Sequence, residues 1–516
     1  MEQIARLLAS TGLVDADHRA ISALKASPDP LIVGEGRKIY RRSLRLLDGI
    51  LCFIGSEGKN KHLYLAGSSP FPGGFHGKST TIGGVHLFEA GLSTENAVAL
   101  HDLFPFTAPI SLRQRLTTIG CGDRLGLATP GHIRAMKGYA AAPVLAQQSV
   151  RELTLTHREF PGVVTDASFL VFQEGFEDGY GADGDHLKNI RDIDTALDAK
   201  MPMITLDLTE VMATAPADWT PGRVDAGFDE LDAAVQERIR AGYEGRQFEL
   251  PGCRVAFTGV EARRCALMYG RALDFAAEVD RHLRARRGDQ YDLEVSIDET
   301  TTPTVPSHHL FIATELARRG VAVTSIAPRF VGEFQKGIDY IGDLEEFEAQ
   351  FSVHCAIARA RGNYKISIHS GSDKFSVYPA IGRHTGMRVH LKTAGTSWLQ
   401  AVRVIARANP PLFRRMLTRA IAWFPEASKL YHVTADLSAI PPAAGVPDAE
   451  LERYLDLRDS RQLLHITYGG LLDDPGIRTE FFSTLIANEE MHYAAVQEHI
   501  QKHVRLLGVP GAFQNS

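Results

Sequence analysis

The chain has 516 residues, 44% of them apolar, and a formal charge of −6 with both signs spread along it. That length exceeds one typical domain and supplies a sizeable core, and the lack of a basic stripe argues against a nucleic-acid partner. Five scattered cysteines, none in C-x-x-C spacing, exclude a disulfide framework and a zinc ribbon and point to a reducing, cytoplasmic setting.

The opening stretch, MEQIARLLASTGLVDADHR, reads as an amphipathic helix carrying acids, not as a signal peptide. No apolar run approaches the roughly 20 residues that a membrane span needs, so no membrane partner is expected. Residues 1–115 are expected to form a small α/β module covering one side of the domain after it. Within this module, GILCFIGSEGKNKHLYLAGSS gives two strands around a Gly/Asn/Lys turn.

From about Thr118 the rhythm changes. Eight short runs, most of them rich in Val, Ile and Leu, end in polar residues: RLGLATPG, PVLAQQS, GYGADGDHLK, MITLDLT, LEVSIDE, VAVTSIAP, YKISIHSG and MRVHLKTAG. The second and third carry the weakest strand signal. Helical stretches such as FEAQFSVHCAIARARG separate several of them. Strands alternating with helices indicate a parallel sheet, and eight such units predict a closed (β/α)8 barrel over residues 116–396. A doubly wound open sheet is the alternative. The alternation stops at about 210–290, where helical periodicity predicts an insertion after the fourth strand. Residues 397–516 read as a helical extension.

Three motifs fail on inspection. FPGGFHGKST has Pro72 where a phosphate loop needs glycine five residues before the Gly77-Lys78 pair. In GCGDRLG, the glycines at 120, 122 and 126 miss the dinucleotide fingerprint by one place. NEEMHYAAVQEH sets Glu489 and His492 at Glu-x-x-His spacing, but a single copy reads as a solvated helix face.

Barrel chemistry sits at the carboxyl ends of the strands. Here those ends carry Asp185 and His186, Asp207, Asp298 and Glu299, His369, and His390 and Lys392. Burying an unpaired charge is costly, so such a set has no structural purpose of its own. Three histidines with carboxylates at one mouth suggest a divalent cation (Zn, Mn, Ni or Co) held by nitrogen and oxygen. The expected ligands are His186, His369 and His390, with Glu333 as the substitute for His390. A cation of this kind polarises an oxygen while a neighbouring carboxylate moves the proton. The pair in GDHLK resembles the Asp-His pair of class II aldolases. It makes Asp185 the expected proton acceptor and Glu299 its counterpart, with Asp298 as the alternative to Glu299.

Six segments taken together, GDRLGLATPGH, GYGADGDHLK, IDETTTPT, PRFVGEFQKGIDYIGD, IHSGSDKFSVYP and HLKTAGTSWLQAVR, resemble the tagaturonate epimerase family of bacterial hexuronate catabolism. The likeness runs from about Cys121 to Arg403. It implies a metal-dependent interconversion of D-tagaturonate and D-fructuronate, with tagatose and fructose accepted by some relatives. The substrate is then a small ketose or hexuronate. The centre inverted in that reaction lies β to the ketone, where simple enolisation cannot act. Without a dinucleotide fold, retro-aldol cleavage and readdition is the remaining route. Lys188, Lys336, Lys374 and Lys392 are the candidates for the substrate carboxylate. A metal-dependent ketose isomerase, or a class II-like aldolase acting on a sugar acid, is the second reading. A noncatalytic sugar-binding module ranks below both, because binding alone needs no Asp-His pair.

Overall fold

The computed structural model describes residues 2–512 apart from 12, 14–16, 28–29, 33–36, 68–70, 83 and 299–301. Eight parallel strands close into a barrel: β1 (Thr117–Gly120), β2 (Ala142–Ser149), β3 (Gly181–Leu187), β4 (Met203–Asp207), β5 (Asp292–Ile297), β6 (Ser325–Pro328), β7 (Lys365–Ile368) and β8 (Val389–Lys392). Each pairs with its neighbour in the chain, and β8 closes on β1. The (β/α)8 expectation holds.

Seven of the eight runs are strands, including the two with the weakest signal. The first is not. RLGLATPG turns into a helix, α1 (Thr129–Met136), with Pro130 in its first turn, where a missing N–H costs nothing. Asp123 drives the turn by accepting from the backbone N–H groups of Leu125, Gly126 and Ala128. The strand is the stretch before it, TTIG, whose β-branched residues fit the pleat. The insertion after β4 also departs from expectation. Beside its helices it holds a hairpin, Gln247–Leu250 with Cys253–Ala256, turned at Gly252, where φ is +82°.

Seven strands between Leu31 and Gly91 make an antiparallel sheet. Alternate residues face opposite ways, so Leu51 and Phe53 meet the N-terminal helices at Ile4 and Leu8. Ile50, Cys52 and Ile54 meet Phe169 and Phe172 on the helix Phe160–Glu174. The sheet therefore lies on the outer flank of the barrel. Beyond β8 the chain is helical, from α2 (Thr396–Ala408) to α3 (Glu489–Leu507). α3 packs tightly on α1: a Cβ at Gly131 would sit 2.7 Å from the Tyr493 carbonyl oxygen.

The Glu489 end of α3 is not a solvated face. Glu489 and His492 are both buried. The Glu489 carboxylate takes hydrogen bonds from Tyr40 (2.8 Å) and Lys38 (2.8 Å) and pairs with Lys61 at 3.1 Å. It thereby ties the N-terminal sheet to the last helix. Burial alone would raise its pKa, but the Lys61 and Lys38 ammonium groups outweigh burial and hold it at about 2. A depressed carboxylate stabilises the fold above its unfolded pKa of about 4.3 and loses that contribution as pH falls toward the folded value. Glu489→Gln should therefore cost about 2 kcal/mol at neutral pH. In urea titrations, the gap to wild type should close between about pH 4.3 and pH 2.

Candidate active site at the barrel mouth

The interior of the barrel toward its carboxyl end is charged. The Lys392 ammonium on β8 is buried 2.6 Å from Asp185 Oδ1, 2.9 Å from Glu294 Oε1 and 3.2 Å from Asp183 Oδ2, and it donates to Thr205 at 2.6 Å. Burial opposes its charge, but three carboxylates raise its pKa well above the usual lysine value. Asp185 and Glu294 are held well below theirs, against burial, by His186 and Lys392 for the first and by Lys392 and His369 for the second. Asp183 goes the other way: burial, with Asp185 and Glu294 alongside, raises it. Lys392 is therefore part of the scaffold beneath the site. At Gly120 on β1 any side chain would collide with Gln147. Gln147 in turn donates to Asp183 at 2.9 Å.

One layer above sit His186, His369 and Asp298. In a regular strand the side chains of Asp185 and His186 would point to opposite faces. His186 instead takes the left-handed region at φ +57°, within an irregular stretch of register between Gly184 and Leu187. Its Nδ1 reaches Asp185 Oδ1 at 2.8 Å. His369, just past β7, places Nε2 2.6 Å from Glu294 Oε1. Its Nδ1 is buried without a hydrogen-bond partner, yet lies 3.0 Å from Asp298 Oδ2. The two rings stand 4.9 Å apart. One donor atom from each of His186, Asp298 and His369 falls within 4.8 Å of the others.

This set fits a divalent cation. A ligating imidazole commonly gives its other nitrogen to a carboxylate, which fixes the ring, and both histidines do so here, to Asp185 and to Glu294. The misaligned Nδ1 of His369 facing Asp298 is the arrangement an ion would complete. With protons alone to balance the carboxylates, both imidazoles are pushed up: His186 by Asp185, and His369 to about 10 by Asp298 and Glu294, each against the cost of burial.

The expected third histidine does not join them. His390 faces the lower barrel, where Thr118 Oγ1 lies 2.9 Å from its Nδ1, and burial lowers its pKa to about 3. Its position inside β8, and not beyond the strand end, explains the difference. Asp298 takes the third place. Glu333 stands apart, beside Gln335 and 3.4 Å from His432. Glu299 lies outside the described residues.

The cavity over the cluster has a volume of about 60 Å3, and its walls include Ser149, Glu152, Asp185, Lys336 and Tyr431. It continues into a space of about 250 Å3 that adds Arg329 and shares Arg151 and Lys336 with it. Of the four lysines, two line this cavity: the buried Lys392, and the half-buried Lys336, which donates to Ser370 at 2.8 Å and whose pKa is lowered by desolvation. Lys374 is spent on structure: its ammonium donates to the carbonyls of Gln335, Ile338 and Ser372. Lys188 is part-exposed beside Glu210 and Asp207. Sequence reasoning missed Glu294, although an acid inside the run DLEVSI signals a buried partner. It also missed Arg151 and Tyr431, for which the pattern offers no sign.

Comparison with known proteins shows the family to which the chain belongs. The sequence model of the tagaturonate epimerase family matches residues 40–507. A tagaturonate/fructuronate epimerase from Thermotoga maritima is 41% identical over 476 residues, covering 92% of this chain and 98% of that one. The native crystal structure of the fructuronate-tagaturonate epimerase of Cohnella laeviribosi is 43% identical and superposes with a TM-score of 0.89 over 96% of this chain and all of that one. Its one-glycerol complex is 45% identical, with a TM-score of 0.88 over 92% of this chain and 96% of that one.

Lys392→Met should destabilise the protein by about 3–5 kcal/mol, because three buried carboxylates lose their counter-ion. Adding Glu294→Gln should recover part of that loss in guanidinium unfolding. A strictly additive double variant would show that the two groups are not coupled.

Proposed function

Because the chain belongs to the tagaturonate epimerase family, we propose that it interconverts D-tagaturonate and D-fructuronate by retro-aldol cleavage and readdition, with a divalent cation held by His186, Asp298 and His369. The observation that carries the reading is the His369 Nδ1 left without a hydrogen bond between a buried ring and Asp298. Bound there, such a cation supplies Lewis acidity to the oxygens on the ketone side of the substrate.

The chain's own groups do the rest. Both contacts described for Asp185, from His186 and Lys392, fall on Oδ1, and the residue lines the cavity. Held ionised, Asp185 accepts the proton of the β hydroxyl. As a weak base it also returns that proton readily, which a reversible epimerisation requires. Opening the bond between the α and β carbons leaves an enediolate and an aldehyde. The aldehyde turns and is attacked on its other face, and the proton goes back to the new alkoxide. Lys336 and Arg151, the two cations on the cavity wall other than the carboxylate-paired Lys392, receive the substrate carboxylate. Glu152 and Tyr431 close the wall, so both fragments are retained.

Three measurements test this. Chelation should abolish turnover and a divalent cation restore it. His186→Ala and His369→Ala should each lose one bound equivalent, and full occupancy in both would remove the proposed site. Asp185→Asn should keep the metal while kcat falls by about 10²-fold or more, the scale of a lost general base. Finally, substrate deuterated at the β carbon should keep all its label, and turnover in heavy water should leave the α carbon unlabelled. Stoichiometric solvent deuterium at the α carbon would instead establish an enolising reaction.

A further inference from the structure

Directly behind His369 the chain makes a second convergence of donor atoms, away from the barrel axis. The loop after β7 runs through Ser370 (φ +48°) to Asp373 (φ +62°), two left-handed non-glycine residues within four positions. This turn carries Asp373 away from the mouth and toward α3. There the sequence His499-Ile-Gln-Lys-His503 places two imidazoles four residues apart, on one helix face. The rings are 4.4 Å apart. Asp373 and His503 are buried, and His499 is nearly so.

From these positions we infer a second metal site, in which Asp373, His499 and His503 hold a divalent cation of the zinc type that pins α3 to the loop following the catalytic strand end. Asp373 Oδ1 lies 3.7 Å from His503 Nε2 and 3.9 Å from His499 Nε2. One donor atom from each of the three residues falls within 4.8 Å of the others. Tetrahedral zinc with bonds of about 2.0–2.1 Å needs donor separations of about 3.3 Å, so a contraction of a few tenths of an ångström completes the site.

The surrounding bonds already orient the donors. His503 donates Nδ1–H to the His499 carbonyl at 2.7 Å, which leaves Nε2 with the lone pair, the arrangement usual for a ligating histidine. Arg461 occupies Oδ2 of Asp373 at 2.5 Å and leaves Oδ1 to the cation. Three groups compete for the histidine nitrogens. The Ser372 hydroxyl (2.9 Å from His503 Nε2) and the Thr396 hydroxyl (2.8 Å from His499 Nε2) can both rotate away, and they already contact each other. The Asp373 N–H, 3.1 Å from His503 Nε2, is the one fixed contact an ion must displace. Asp373 and His499 also border a cavity of about 750 Å3, which gives the ion a path in from solvent.

The site is independent of the one over His186, so metal stoichiometry separates the two. The full-length protein is stripped with a chelator and titrated with Zn(II) against a chromophoric competitor. Thermal midpoints are recorded in parallel. Wild type should take two equivalents. His186→Ala should take one and keep most of the metal-dependent rise in Tm. His499→Gln and Asp373→Asn should each take one and lose that rise, while circular dichroism shows the fold intact. His499 borders the cavity and tolerates replacement better than the fully buried His503. A single equivalent in wild type that survives in His499→Gln overturns the inference and leaves the first site standing. A single equivalent that survives in His186→Ala and is lost in His499→Gln does the reverse. Two equivalents retained in both His499→Gln and Asp373→Asn also overturn it.

Discussion

One buried ammonium organises the working end of this barrel. Lys392 sits among Asp183, Asp185 and Glu294 with a hydroxyl from Thr205, where an unpaired charge of either sign would be prohibitive. The five side chains come from four strands, β3, β4, β5 and β8. Their mutual dependence therefore fixes strands far apart in sequence relative to one another. Most barrels of this class fill the interior with branched apolar layers. Here an electrostatic layer replaces one of them, and its geometry is set by hydrogen bonds of fixed length rather than by adaptable packing.

That layer matters for chemistry because the histidines stand on it. Asp185 is shared between Lys392 and His186, and Glu294 between Lys392 and His369. Each carboxylate thus transmits the position of the lysine to one ring. The rings are aimed before any ligand arrives, which is the condition for a low reorganisation cost. The left-handed conformation at His186 is where the chain accommodates this. A non-glycine residue there costs of order 1 kcal/mol or more, and the Asp185 bond is one of the contacts that hold it.

The sequence displays the barrel more clearly than the site. Seven of eight strands are legible because short apolar runs closed by Gly, Pro or Ser are a local signal. TTIG is too short and too polar to stand out, and Asp123 masks its end by starting a turn. The Asp185-His186 pair is legible because adjacent charges at a strand end have no structural purpose. His390 misleads because strand periodicity does not say how deep a residue lies: two positions separate it from Lys392, and that is enough to place it below the charged layer, against Thr118. Glu489 misleads for a related reason. A charged residue on a terminal helix is ordinarily solvated, and only the sheet of residues 31–91, folded far away in sequence, supplies the Tyr40 and Lys61 partners that bury it.

The additions around the barrel therefore do more than enlarge its core. α3 receives the N-terminal sheet at Glu489, packs on α1 through Gly131, and meets the loop behind His369 at His499 and His503. Those contacts are spread along one rigid rod of 19 residues. A helix of that length moves as a unit, so a shift at either end must be absorbed at the other or resisted. Lys374 adds a second restraint on the same loop, its ammonium held by three carbonyls and its pKa lowered to about 7 by burial. Held from α3 on one side and by Lys374 on the other, the segment Ser370–Asp373 has little freedom. Ser370, bonded to Lys336 at the cavity wall, inherits that stiffness. The restraint on Lys336 at the cavity wall thus begins outside the barrel, in α3.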